Sequence, residues 1–140
     1  MVKSTKLPKK KRQAGIRTLT VKLDTVFSKY IRLSNADKNG TVICFTCGGV
    51  HTVNDTDNGH YISRSTRSTR WDEQNCHPQC KSCNRFRDGM KDVYALKLQE
   101  KYGKDILEEL NQRKNQVFKA SPDWLLSKIE YYKQKVKEME

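Results

Sequence analysis

The sequence predicts an α+β fold, mostly helical by residue count, in which a small zinc-stapled core is flanked by helices. Three observations carry this. Apolar residues recur at helical spacing near both ends of the chain. Two Cys-x2-Cys pairs, Cys44/Cys47 and Cys80/Cys83, lie 32 residues apart. Hydrophobic residues make up only 35% of the 140, too few for a large oily core, so something besides apolar burial must hold the fold. The length is room for one small domain with tails.

The elements follow in chain order. Residues 1–16 begin with a run of Lys and Arg and no acid among the first fourteen, which predicts a disordered basic arm. Leu19, Leu23, Val26, Tyr30 and Leu33, widened by Phe27 and Ile31, form one helical face over 17–35. The turn-rich run Asn35–Gly40 ends it. Thr41–Phe45 is short and β-branched and reads as a strand entering the knuckle Cys44-Phe45-Thr46-Cys47-Gly48-Gly49, with Val50–Val53 returning as its partner. A glycine after the second cysteine suits a tight knuckle because it tolerates positive φ.

Residues 54–80 show neither helical nor strand period and are expected to be irregular. A helix is expected from Cys80, with Met90, Tyr94, Leu98 and Tyr102 spaced by four and Gly103 as its stop. A second helix is expected over 104–118. A third opens with Ser121 as N-cap and Pro122 in the first turn. Its seam of Leu125, Ile129, Tyr132, Val136 and Met139 would pack on the first helix or on a second copy of the chain. The domain reading is a zinc-binding core with its N-terminal helix over 17–103 and a helical extension over 104–140.

The formal net charge of +12 calls for a polyanionic partner, nucleic acid before an anionic membrane surface. No apolar run approaches the roughly 18 residues of a membrane span, and no secretory signal is expected. Five cysteines, an odd number, argue against a disulfide framework and for a reducing cytoplasm. Four thiolates from Cys44, Cys47, Cys80 and Cys83 suit tetrahedral Zn²⁺. Structural zinc contributes roughly 10–16 kcal/mol of folding free energy, ample for so small a core. His51, Cys76 and His77 are nearby rival ligands, with Cys76 read as a spare.

Between and after the pairs lie Gly59-His60-Tyr61-Ile62-Ser63-Arg64, then Asn75, then Cys80-Lys81-Ser82-Cys83-Asn84-Arg85-Phe86. This order resembles the HNH-type ββα-metal nuclease motif, in the variant whose last His is Asn. With Phe27-Ser28-Lys29-Tyr30-Ile31-Arg32-Leu33 and Cys44-Phe45-Thr46-Cys47-Gly48, the motifs resemble the phage NinG/Rap recombination proteins over roughly residues 20 to 103. The resemblance implies an HNH, endonuclease VII-like core and a structure-specific endonuclease that cuts branched DNA, such as four-way junctions and displacement loops. It implies His60 as general base, Asn75 as a brace for its loop, and Asn84 as ligand of one catalytic Mg²⁺ or Mn²⁺. Many HNH sites carry Asp directly before the first His; here that residue is Gly59, so Asp57 is the candidate second ligand, with Asp55 or Asp72 as substitutes. Arg64, Arg67, Arg70, Lys81, Arg85 and Arg87 are candidate phosphate contacts. A homodimer would suit symmetric junction cutting. The rival readings are a non-catalytic zinc module that binds DNA or RNA, and a sequence-specific HNH nuclease.

Overall fold

The computed structural model describes residues 15–140. Helix α1 (Ile16–Ser34) is followed by strands β1 (Thr41–Ile43), β2 (Val50–Thr52) and β3 (Thr56–His60). A one-turn helix α2 (Arg67–Arg70) precedes strand β4 (Cys76–Cys80). Helices α3 (Lys91–Tyr102), α4 (Ile106–Lys114) and α5 (Pro122–Met139) complete the fold. The fold is mixed and mostly helical. The expected basic arm lies outside the described residues up to position 14, and Ile16 already opens α1.

The main core forms between the first and last helices. Leu19, Leu23, Phe27 and Ile31 of α1 meet Leu125, Ile129 and Tyr132 of α5. Every fourth residue of α1 falls on this face, with Val26 and Tyr30 packed at its edge. The Phe27 and Tyr132 rings meet edge to face at 5.0 Å. Each of these side chains contributes roughly 1.5–3 kcal/mol by leaving water. Val136 continues the buried seam, while Met139 stays 39% exposed. The α5 seam thus packs within the chain, against α1. The N-terminus of α5 is capped as the sequence predicts: the Trp124 amide donates to Ser121 Oγ at 3.1 Å.

β1 and β2 form the expected antiparallel hairpin, with Val42 opposite His51, and Gly48 after the knuckle takes φ 75°. The expectation of an irregular 54–80 is corrected. β3 and β4 pair antiparallel from Thr56 opposite Cys80 to His60 opposite Cys76. Their sequences, Thr-Asp-Asn-Gly-His and Cys-His-Pro-Gln-Cys, lack apolar alternation. β4 is a strand because tertiary contacts bury all five of its residues. Pro78 is tolerated because β4 pairs on one side only, and its carbonyl accepts the Phe45 amide at 2.8 Å.

The helix expected from Cys80 is also corrected. Cys80 ends β4, and Ser82–Phe86 forms a wide helical turn with i→i+5 bonding. The chain then turns through three consecutive left-handed residues, Asp88 (φ 52°), Gly89 (φ 77°) and Met90 (φ 50°), before α3 begins at Lys91. Two tertiary contacts override helix propensity here. Gln79 Nε2 donates to the Gly89 carbonyl at 2.9 Å, and Met90 packs over the buried cysteines. α4 stops at Lys114, short of the expected 118. It packs on α3 through Tyr94, Leu98, Ile106 and Leu110.

Candidate active site and metal centre

The two Cys-x2-Cys pairs converge. The sulfurs of Cys44, Cys47, Cys80 and Cys83 all lie within 4.8 Å of one another. Cys47 and Cys80 Sγ are 3.8 Å apart, the edge of about 3.8 Å that a tetrahedron with Zn–S bonds of about 2.3 Å would have. Backbone amides point at the sulfurs: Cys80 N–H at Cys44, Gly49 N–H at Cys47 and Cys83 N–H at Cys80, at 3.3, 3.4 and 3.5 Å. Burial opposes ionisation of Cys44, but amide donors and the Thr46 hydroxyl prevail and draw its thiol down to about 6. Four close thiols with amide donors form a donor set able to hold a metal such as zinc. His51, on β2 beside Cys47, is not one of the four converging groups. Cys76 stands apart, 1% exposed in the α1–α5 core, where burial pushes its thiol well up.

Beside this centre opens a polar cleft of about 660 Å³. β3 contributes Asp57, Asn58 and His60; the turn after the second cysteine pair contributes Asn84 and Arg85. Asn84 Nδ2 donates to Asp57 Oδ2 at 3.0 Å, and Arg85 grips both oxygens of the same carboxylate at 2.8 and 2.9 Å. Burial works against the Asp57 anion, yet these donors hold its carboxyl below the ordinary value. Five basic side chains, Arg32, Arg64, Lys81, Arg85 and Lys91, line the cleft against two acids, Asp24 and Asp57.

His60 is half-buried and held through one nitrogen. Its Nε2 lies 2.9 Å from the Arg70 carbonyl. A carbonyl only accepts, so Nε2 carries the proton and Nδ1 keeps its lone pair. Burial lowers the His60 pKa below 6.5, partly offset by the Arg70 carbonyl and the Asp24 charge, so the ring is neutral at pH 7. Arg70 is itself fixed: its guanidinium grips Asp24 on α1, with Nε to Oδ1 at 3.0 Å, and the Trp71 indole donates to the same oxygen at 2.9 Å. Lys91 Nζ caps the His60 carbonyl.

The surrounding backbone is braced by buried polar groups. Asn75 is 0% exposed. Its Oδ1 accepts the Ile62 amide at 2.8 Å, and its Nδ2 donates to the Ile62 and Thr69 carbonyls at 3.0 and 3.1 Å. Tyr94 Oη donates to the Gly59 carbonyl at 2.7 Å and touches His77 Nδ1 at 2.9 Å. His77 also meets Tyr102 Oη at 2.7 Å and stacks on Phe45 at 4.1 Å. Burial, with Lys101 nearby, lowers the His77 pKa to about 3, so this histidine is a neutral strut of the core. Gly59 is required by space: a Cβ there would lie 1.9 Å from Gln79 Oε1. At the position where many HNH motifs carry Asp, a side chain would have to displace the buried Gln79.

Of the residues singled out in sequence, His60, Asp57, Asn84, Arg64, Lys81 and Arg85 line the one cleft. Asp55 and Asp72 do not line it; Asp72 pairs with Arg113 at 3.0 Å. Arg67 flanks a separate aromatic depression with Trp71, Phe118 and Trp124, and Arg87 is exposed beyond the turn. Sequence reasoning missed Asp24, Arg32 and Lys91. Asp24 lies on the first helix with no local signal, and Arg32, though inside the Phe27–Leu33 motif, was given no role; Lys91 opens the helix whose start the sequence misplaced.

The family described as Bacteriophage Lambda NinG protein matches residues 2–140. Protein ninG of Escherichia phage 933W is 32% identical over 73 residues, covering 51% of this chain and 36% of that protein. Protein ninG of Escherichia phage lambda is 29% identical over 97 residues, covering 69% of this chain and 47% of that protein. The matched stretches thus span between about a third and a half of the curated relatives' length. No solved structure matches. No helix among the described residues is long and apolar enough to cross a membrane. With the family matched over nearly the whole sequence, the chain belongs to the NinG family.

Proposed function

We propose that the chain is a metal-dependent DNA endonuclease that cuts branched recombination intermediates such as four-way junctions and displacement loops. The observation that carries this reading is the joint placement of His60, Asp57 and Asn84 around one basic cleft beside the four cysteines. A basic cleft positions phosphates without reading bases, as recognition of a branch by shape requires.

The residues divide the work. His60 is neutral and its Nδ1 is free to take a proton from water. The water oxygen bonds to phosphorus as the phosphorus–oxygen bond to the leaving sugar breaks. The Arg70 carbonyl fixes the tautomer, and Asp24 fixes Arg70. Asn75 holds the backbone just beyond His60. The four cysteines with zinc fix the start of the turn that presents Asn84.

The groups that would hold a hard cation are the Asp57 carboxylate, once Arg85 releases it, and the Asn84 amide oxygen. Held there, Mg²⁺ or Mn²⁺ would supply charge stabilisation at the phosphate and the leaving oxygen.

A second reading is a non-catalytic zinc module that binds nucleic acid, and one observation favours it: the Arg85 guanidinium already occupies both oxygens of Asp57. Incubating labelled junction, looped and linear DNA with protein and Mg²⁺ decides between them. Nicking that His60→Ala abolishes while binding persists supports the endonuclease. Binding without nicking across several divalent ions turns the reading to the binding module. Cuts that follow sequence on linear duplex would point to a sequence-specific nuclease.

A further inference from the structure

We infer that Phe86 is a stacking site for an unpaired nucleobase, which makes the tip of the Ser82–Phe86 turn the feature that tells a DNA branch from continuous duplex. The inference deepens the reading of the cleft as a DNA-cutting site and rests on it for the identity of the polyanion.

Phe86 is 83% exposed, the most exposed aromatic ring among the described residues. It shares its five-residue turn with Asn84 and Arg85, which line the cleft. Its base is anchored by Cys80 and Cys83, two of the four clustered cysteines. A ring on so fixed a support loses little freedom when something stacks on it. Arg85 and Arg87 flank it, and both are exposed.

The backbone just beyond takes a strained path. Asp88 and Met90 adopt left-handed φ values that disfavour residues with a Cβ. The reversal sends Met90 back onto the cysteines and leaves Phe86 outside. An apolar ring standing in water, with exposed Arg87 next to it in sequence and the basic cleft lined from the same turn, fits a ligand with a flat face and an anionic backbone. A nucleobase with its phosphates has both. In continuous duplex each base is covered on both faces, and exposing one has an unstacking cost. At a bulge that cost is already met, and at an open branch point the last base pair of each arm has one face uncovered. Arg87 and the basic lining of the cleft then supply sequence-independent affinity, and the ring supplies preference for unstacked bases.

The experiment uses the full zinc-loaded chain with Ca²⁺ in place of Mg²⁺. Fluorescence anisotropy follows binding to a four-way junction, a duplex with one unpaired base, and a linear duplex of the same sequence. Phe86→Ala and Phe86→Leu should each weaken junction and bulge binding about tenfold and leave linear duplex within about twofold, while Phe86→Tyr retains the preference. Zinc content and circular dichroism should match wild type, since the ring supports no core. Equal loss on all three substrates, no loss on any, or full function of Phe86→Leu would overturn the inference. So would a wild type without branch preference, or a Phe86→Ala chain that sediments as a smaller species, which would place the ring in a contact between copies. A Phe86-dependent preference without Mg²⁺-dependent nicking overturns the cleavage reading alone. Nicking without that preference overturns this inference alone.

Discussion

At the scale of single residues, Asp24 shows how far a functional group can lie from its motif. It sits 46 positions before Arg70, whose side chain it holds and whose carbonyl holds His60. Nothing local in the sequence announces this. Arg70 reads as one more arginine in a basic run, and a backbone carbonyl has no letter at all. Three other charged groups face the ring or its carbonyl: Arg70, Lys91 and, through its negative charge, Asp24. The sign follows from these. Burial disfavours the imidazolium and Asp24 favours it, so the His60 pKa lies below 6.5 and the acid limb of nicking should lie below that pH. Asp24→Asn removes the favourable charge, so the limb should move to still lower pH while the plateau rate falls by about tenfold or more through loss of positioning. A pH–rate profile with NMR titration of His60 measures both; an unmoved limb would make Asp24 merely structural. Gly59 supplies a second residue-scale prediction. Gly59→Ala should cost about 1–3 kcal/mol in urea unfolding of the zinc-loaded chain, because the new methyl meets the Gln79 side chain. Gln79→Ala in the same chain should relieve part of that clash.

At the scale of elements, legibility followed local periodicity. α1 and α5 could be read because their apolar residues recur at three and four, and the β1–β2 hairpin because β-branched residues flank a glycine knuckle. The convergence of the cysteines could be read because each Cys-x2-Cys curls its sulfurs towards one point. β3 and β4 could not be read, because a strand whose neighbours bury both faces needs no alternation and can hold His, Pro and Gln. The break before α3 was equally silent, because Met90 leaves helical geometry to cover the cysteines. The Ser82–Phe86 turn allows two functions to be separated. Cys80→Ser should release zinc and unfold the domain, since the metal supplies roughly 10–16 kcal/mol. Asn84→Ala should leave fold and zinc content intact and abolish nicking. Circular dichroism and elemental analysis beside a nicking assay check the pair; a folded, zinc-free Cys80→Ser chain would remove the scaffold role from the metal.

At the scale of the whole molecule, the charge of +12 and the basic lining of the cleft set the response to ionic strength. Binding to DNA should weaken by roughly 10³-fold or more between 50 and 200 mM salt if six or more phosphates are neutralised. Anisotropy titrations across that range give the slope, and a flat one would mean that these side chains touch no phosphates. Architecture adds a further consequence, concerning time rather than space. Every group that lines the cleft lies between positions 24 and 91, yet α1, which carries Asp24, rests its apolar face on α5 at 122–139. During translation the cleft residues therefore emerge well before the helix on which α1 rests. A nascent chain still lacking its last helix holds Asp24 on an α1 without its main apolar partner, so the surroundings of His60 are completed only when synthesis has passed that helix.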